Sequence, residues 1–292
     1  MNPISSPDQL PDSVARVAAS VVGLATRRHS GAGVLWRPGV VVASASVLWR
    51  ASQVALVLPD GEQVQGEVRG LDAGTDLAAV TWAASSLPVA ERSSAVPRVG
   101  DFVFAVGREP SGLTQASFGH IGLVGGEWRS WRGGRIDRLI RLDGGLYPGL
   151  NGAPVADAAG QVIGIGSSAF SRHHGVVLPG ATIDRVLDAL LAHGRVPHGY
   201  LGIAVQPVRA TLDGAGVDGL LVSSVAEDGP AAQGGLLVGD VIVSIGGTAV
   251  GTLEDLRSQL QVGAKVAVRV ARGGMAQDLT LEVIERPSSR CH

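Results

Sequence analysis

Of the many hydroxyls, imidazoles and carboxylates in this 292-residue sequence, only those that meet in one place can attack a bond and pass on its proton. The hydroxyls of Ser44, Ser167 and Ser168 and the imidazoles of His120, His173 and His174 are candidates to be weighed for a nucleophile and its base, each with a plainer structural reading beside it. A serine alone does not suffice. An imidazole must take its proton, a carboxylate must orient that imidazole, and amide donors must face the developing oxyanion. Metal chemistry is not indicated, because His173 and His174 are adjacent and neighbours on an extended loop point apart. Cys291 is the only cysteine, so no intrachain disulfide forms, which fits a reducing compartment.

The elements that must hold these groups are short strands. The chain is 45% hydrophobic, long enough for two domains with separate cores, and its 42 glycines punctuate brief valine-rich runs. Runs at Val21–Ala25, Gly33–Trp36, Val40–Ser44, Val54–Leu58, Phe102–Val106 and Val162–Ile165 follow at strand spacing, which reads as an antiparallel barrel or sandwich. In ATIDRVLDALLAHG, residues Ile183, Val186, Leu187, Leu190 and Leu191 fall at helical spacing, with Gly194 placed to terminate the helix.

The proline- and glycine-bearing stretch after that helix is a domain boundary. The expected division is 1–195, a linker at 196–199, a second domain at 200–286 and a frayed tail at 287–292. The second domain opens with strands YLGIAVQPV and GLLVSSV, then DVIVSIGG. A helix over TLEDLRSQLQ follows, capped by Thr252 with Asp255 three residues on. KVAVRVARGG and AQDLTLEV form a hairpin around Gly273 and Gly274. A formal charge of -2 carries no nucleic-acid signature. No basic-then-apolar leader opens the sequence and no apolar run is long enough for a membrane span. Localisation is therefore expected to be cytoplasmic, or periplasmic if a leader has been removed.

Several spaced segments resemble the HtrA/Deg protease family. LPDSVARVAASVVGLATRRHSGAGVLW is similar to its opening strands, and VGDFVFAVGREPSGLTQASFGHIGLVG to its central strand, turn and strand. GQVIGIGSSAF with GVVLPGATI is similar to its substrate-cleft wall and terminal helix. The second domain resembles the PDZ domain that follows there. The resemblance implies a mainly β fold, a trypsin-like double β-barrel followed by a PDZ domain. It also places the chemistry. GVVVASASVLW puts Ser46 where the family has its triad histidine, and LDAGTDLAAV puts Asp76 at the triad aspartate. LDGGLYPGLNGAPV puts Asn151 at the nucleophilic serine and Gly149 at the oxyanion-hole glycine, with Leu150 on a polar position and Ala153 on a glycine.

A serine hydroxyl is no base near neutral pH and an amide is no nucleophile. Since triad members act as a unit, either loss costs several orders of magnitude in rate. The resemblance puts Ser167 and Ser168 on the strand that pairs with substrate, His120 within a barrel strand, and His173 and His174 on a surface loop. None of them is expected to complete a triad with Asp76, which is expected to be satisfied by backbone or Ser46 hydrogen bonds. A catalytically degenerate, non-enzymatic member is implied, acting as scaffold, adaptor or accessory subunit. An active serine endopeptidase and a protease-independent chaperone are the alternatives.

In a PDZ domain an extended peptide adds to a sheet edge and backbone amides hold its terminal carboxylate. Tyr200, Leu201, Gly202 and Ile203 resemble that carboxylate loop. Leu253, Leu256 and Leu260 offer apolar groups from the helix, which suggests a protein partner ending in an apolar residue. Some of those leucines would be core if the helix stripe simply faces inward. No cofactor, metal or nucleic acid is implied. The family is often trimeric through N-terminal aromatic residues, but Met1–Ala25 has none, which favours a monomer or a subunit of a heteromeric complex over a trimer. Trp128 and Trp131 in EWRSWRGG are either docking anchors or tucked against their own domain.

Overall fold

A computed structural model describes residues 9–26, 30–49, 51–82, 87–171, 173–197, 199–212 and 214–285. The expected tail at 287–292, with Cys291, lies outside them. The chain divides into two compact units, Met1–Val196 and Pro197–His292.

The first unit opens with a helix that the strand reading of this region did not contain, α1 (Leu10–Ala18). Pro11 starts it, Asp12 sits in its first turn, and Val14, Val17 and Ala18 share one face that packs on the core. The buried guanidinium of Arg108 receives its end, donating to the carbonyls of Ala18 at 2.9 Å and Val21 at 3.1 Å. Six strands then close a barrel: β1 (Val21–Ala25), β2 (Ser30–Arg37), β3 (Val40–Ser44), β4 (Gln53–Val57), β5 (Gln63–Asp72) and β6 (Leu77–Thr81), in the order β1-β2-β3-β6-β5-β4.

The second barrel starts with β7 (Phe102–Arg108) and β8 (Thr114–Val124). A small hairpin of β9 (Trp128–Arg129) and β10 (Arg135–Ile136) follows. It then closes through β11 (Ile140–Leu142), β12 (Pro154–Asp157), β13 (Val162–Ser167) and β14 (Val176–Pro179), ordered β11-β14-β13-β12-β7-β8. α2 (Gly180–His193) ends at Gly194, whose left-handed φ of 71° lets its N–H reach the Leu190 carbonyl.

The continuous apolar runs have a direct cause. Along β3, Val41 and Ala43 point into the first barrel, whereas Val42 points outward into a larger core shared with the second barrel and α2. β6 repeats this, with Ala78 and Val80 inward and Leu77 and Ala79 outward. Strands buried on both faces cannot show polar alternation. Trp36 joins the shared core, its indole N–H bonded to Asp184 of α2 at 2.9 Å.

The second unit pairs β15 (Gly199–Tyr200) with β22 (Ile284–Glu285). Its main sheet runs β16 (Ile203–Leu212), β17 (Ala215–Val225), β18 (Val241–Ile245), β20 (Lys265–Arg272) and β21 (Met275–Glu282), with β19 (Thr248–Ala249) against β18. Gly273 and Gly274 both take positive φ, 60° and 85°, as a two-residue hairpin turn matched to strand twist requires. α3 (Pro230–Gln233) and α4 (Leu253–Ser258) complete the unit. Thr252 and Asp255 cap α4 reciprocally. The helix is shorter than TLEDLRSQLQ suggested, because the Gln259 and Leu260 amides turn back to Leu256 and Arg257 and tighten the last turn.

Candidate functional site

The cleft between the barrels brings Ser46, Asp76 and Asn151 into one cluster. Asp76 sits at the head of β6 in a tight turn built by Asp72, whose carboxylate accepts the Gly74 amide and both the amide and hydroxyl of Thr75. The β9–β10 hairpin braces this turn. Ser130 donates its hydroxyl to the Gly74 carbonyl at 2.6 Å, and a side chain on Gly134 would collide with the Gly74 backbone. Asp76 is the one non-glycine residue with positive φ among the described residues, at 56°, a conformation aspartate tolerates better than most.

Asp76 is buried and fully engaged. One carboxylate oxygen accepts the Ser46 amide at 2.8 Å; the other accepts the hydroxyls of Ser44 at 2.9 Å and Ser167 at 2.6 Å. The expectation of backbone or Ser46 partners is thus refined: Ser46 supplies its amide, and the hydroxyls come from Ser44 and Ser167. Neither serine was expected to meet Asp76. Ser44 ends β3 with its side chain pointing to the cleft, and Ser167 ends β13 fully buried, so its hydroxyl is turned into the protein. A buried serine closing an otherwise apolar strand is the signal that could have found both.

Asn151 closes the network. Its amide nitrogen donates to Ser44 and Ser46, each at 2.9 Å, and its amide oxygen accepts the Ser168 amide at 2.9 Å. The last bond fixes which end is oxygen, since a backbone N–H needs an acceptor. Ser44 spends its one proton on Asp76, so Ser46, 2.7 Å away, must be the donor between the two serines. Protons therefore all point one way, from Asn151 through Ser46 and Ser44 to Asp76. Gly152, at φ 84°, lets the loop lie against Ala32 and Ser44, where any side chain would clash with backbone.

Gly149, at φ 88°, leads into Asn151, and the N–H groups of both have no acceptor among the described residues. Leu150 and Ala153, which the resemblance aligns with a polar residue and a glycine, are fully buried in the shared core. Among the described residues no histidine hydrogen-bonds to the cluster. His120 lies exposed on β8 with its ring 3.6 Å from Asp143, and His173 and His174 bond through their amides to Ser171. His29, His198 and His292 lie outside the described residues.

In the second unit, Leu201 and Gly202 give their carbonyls to the amides of Ala231 and Ala226, while their own N–H groups have no acceptor among the described residues. Gly202 needs its φ of 77° to make this loop. Free amides on a buried turn are a ready anion cradle. Beside it β16 is the outermost strand of its sheet. Tyr200 and Ile203 are half-buried, and Leu253 is 41% exposed. Leu201 and Leu256 are core residues, and Leu260 packs half-buried beyond the helix end. The apolar surface near the edge therefore comes from Ile203 and Leu253 rather than from the whole leucine stripe.

The two tryptophans divide. Trp128 is half-buried against Phe170, ring centroids 5.5 Å apart, so it is tucked into its own domain. Trp131 is 69% exposed at the hairpin tip with the Arg132 guanidinium 4.4 Å from its ring.

Two closed barrels with the cluster in their cleft, followed by a unit with an open sheet edge and an amide cradle, define a trypsin-like fold joined to a PDZ fold. Family models agree: a trypsin-like peptidase domain matches residues 31–165 and a PDZ domain residues 199–283. The probable periplasmic serine endoprotease DegP-like of Brucella suis is 33% identical over 274 residues, covering 88% of this chain and 52% of that protein. The putative serine protease HhoB of Synechocystis sp. is 32% identical over 275 residues, covering 86% and 65%. The solved structure of the HtrA-type protease AlgW with tripeptide superposes with a TM-score of 0.74 at 30% identity, covering 95% of this chain and 97% of that one. The chain belongs to the HtrA family, trypsin-like serine protease homologues carrying a PDZ domain. It spans about half the length of the first of these curated relatives. The relative from Brucella is named periplasmic, and no observation supports the cytoplasmic expectation. No helix of the described residues is long and apolar enough to cross a membrane.

Proposed function

We propose that this chain is a non-catalytic HtrA-family protein that works by binding protein segments, as a scaffold, adaptor or accessory subunit. One observation carries the reading: Asn151 has both ends of its side chain committed, to Ser44 and Ser46 on one side and to Ser168 on the other. Neither an amide nor the serine at the base position can open acyl transfer. What the cleft keeps is Asp76 as a structural anchor and free amides at Gly149 and Asn151 that suit a peptide carbonyl or carboxylate. The second unit adds the Leu201–Gly202 cradle beside the β16 edge, suited to a peptide C-terminus with an apolar last residue lodged near Ile203 and Leu253.

The test is incubation of the purified chain with unfolded casein, with and without a serine-directed phosphonate. No cleavage above the no-protein control is the expected result; phosphonate-sensitive cleavage defeats the reading. An active serine endopeptidase is the second reading, supported by the names of the relatives and by the kept aspartate and oxyanion-loop glycine. Suppression of aggregation of a model client separates a general chaperone from a scaffold, which predicts one stoichiometric partner.

A further inference from the structure

The open edge of β16 carries a ladder that stops early. Three observations give the direction of its backbone groups. The Ala226 amide donates to the Gly202 carbonyl at 2.7 Å and the Ser223 hydroxyl to the Ala204 carbonyl at 3.1 Å, so Gly202 and Ala204 face β17. Further along, Val222, opposite Val205, gives its N–H to Asp240 at 2.8 Å and accepts that of Gly239 at 2.9 Å, both away from β16. Successive strand residues turn their N–H and C=O to opposite sides. Leu221 therefore faces β16 and Leu220 faces away, which makes Val205–Val222 and Pro207–Leu220 the non-hydrogen-bonded pairs. The register shift between Ala204 and Val205 places its extra residue, Ser223, on β17 and leaves the alternation of β16 intact.

Ile203, Val205 and Pro207 thus direct their backbone groups to the open edge, and Pro207 has no N–H to offer. We infer that β16 reads only about the last four residues of a bound chain, and that Pro207 sets that limit; this rests on the peptide-binding reading above. An antiparallel strand whose carboxylate lies at the Leu201–Gly202 amides pairs its last residue with Ile203 and its third-last with Val205. Its fifth-last residue faces Pro207. There the carbonyl of the added chain finds no donor, and the exposed ring stands where a strand would approach. β16 itself runs on to Leu212, so strand length does not impose the limit.

The test takes the intact chain and a display library with free C-terminal carboxylates, randomised over the last eight positions. The selected sequence is then made as four-, six- and eight-residue peptides. The unmodified chain is expected to bind all three within about twofold of each other. Pro207→Val is expected to gain about two- to tenfold on the six- and eight-residue peptides and nothing on the shortest, the yield of one recovered edge hydrogen bond. A rise of tenfold or more from four to eight residues in the unmodified chain overturns the limit while peptide binding stands. Selection no better than with amidated C-termini overturns the peptide-binding reading and this inference with it. Should Pro207→Val not fold, Pro207→Ala takes its place, and no gain on the six- and eight-residue peptides from a folded variant overturns the role of Pro207.

Discussion

Asn151 and Asp76 are both committed to hydrogen bonds inside the cleft, which is the supporting role the non-catalytic reading gives them. The Asp76 carboxylate collects an amide and two hydroxyls, and removing it strands two buried hydroxyl donors and the half-buried Ser46 amide. Asp76→Ala is expected to cost about 3 kcal/mol, read as a lower urea midpoint. On the non-catalytic reading, Asn151→Ser supplies only one of the two groups that acyl transfer would need. Casein hydrolysis by Asn151→Ser, and separately by Ser46→His, is expected to stay at the level of the unmodified chain. The two changes together are the minimum for phosphonate-sensitive turnover, because base and nucleophile act as a unit. A single variant that cleaves casein would mean that another residue already supplies the missing part.

At the scale of elements, the β9–β10 hairpin and the Asp72–Asp76 turn form one structural piece. The hairpin is far from Asp76 in sequence, yet Ser130 and Gly134 hold the backbone that presents the carboxylate. Gly134→Ala is expected to push the two loops apart and cost about 2 kcal/mol in thermal or urea unfolding. Trp128 and Trp131 report the change by fluorescence. Period and turn chemistry made most strands, α2 and the Gly273–Gly274 hairpin legible. α1 was not, because its family resemblance pointed to a strand although Val14, Val17 and Ala18 carry helical spacing. α4 was overextended, because an apolar residue at helical spacing, Leu260, can equally close a core from a turn.

For the whole molecule, acid is the expected route to loss of stability. Burial alone would raise the Asp240 pKa, but the Arg272 hydrogen bonds, the Leu237 amide and the Arg272 charge outweigh it and hold the carboxyl below its usual range. In the first unit Asp137 behaves alike: burial raises it, and the Thr182 hydroxyl with Arg185 and Arg135 bring it below normal. A depressed carboxyl adds stability that is complete above its unfolded-state value, about 3.9, and is lost as pH falls through the folded value. Unfolding midpoints are therefore expected to hold near neutrality and drop below about pH 4. Asp240→Asn should cost about 2 kcal/mol at pH 7 and progressively less as the pH falls. An unchanged difference across that range would show that the charge is not what matters.

The sequence by itself determined the two-module order and most of the barrel strands, because strand period and turn glycines are local properties. The resemblance of two short segments to the family is what aligns Asn151 and Ser46 with a nucleophile and a base. Only the tertiary structure decided what they do there. Ser44 and Ser167 lie more than a hundred residues apart, and only barrel closure brings both hydroxyls onto Asp76. Which way β16 turns its backbone, and so where Pro207 interrupts the edge, likewise depends on hydrogen bonds to neighbouring strands that no local pattern encodes.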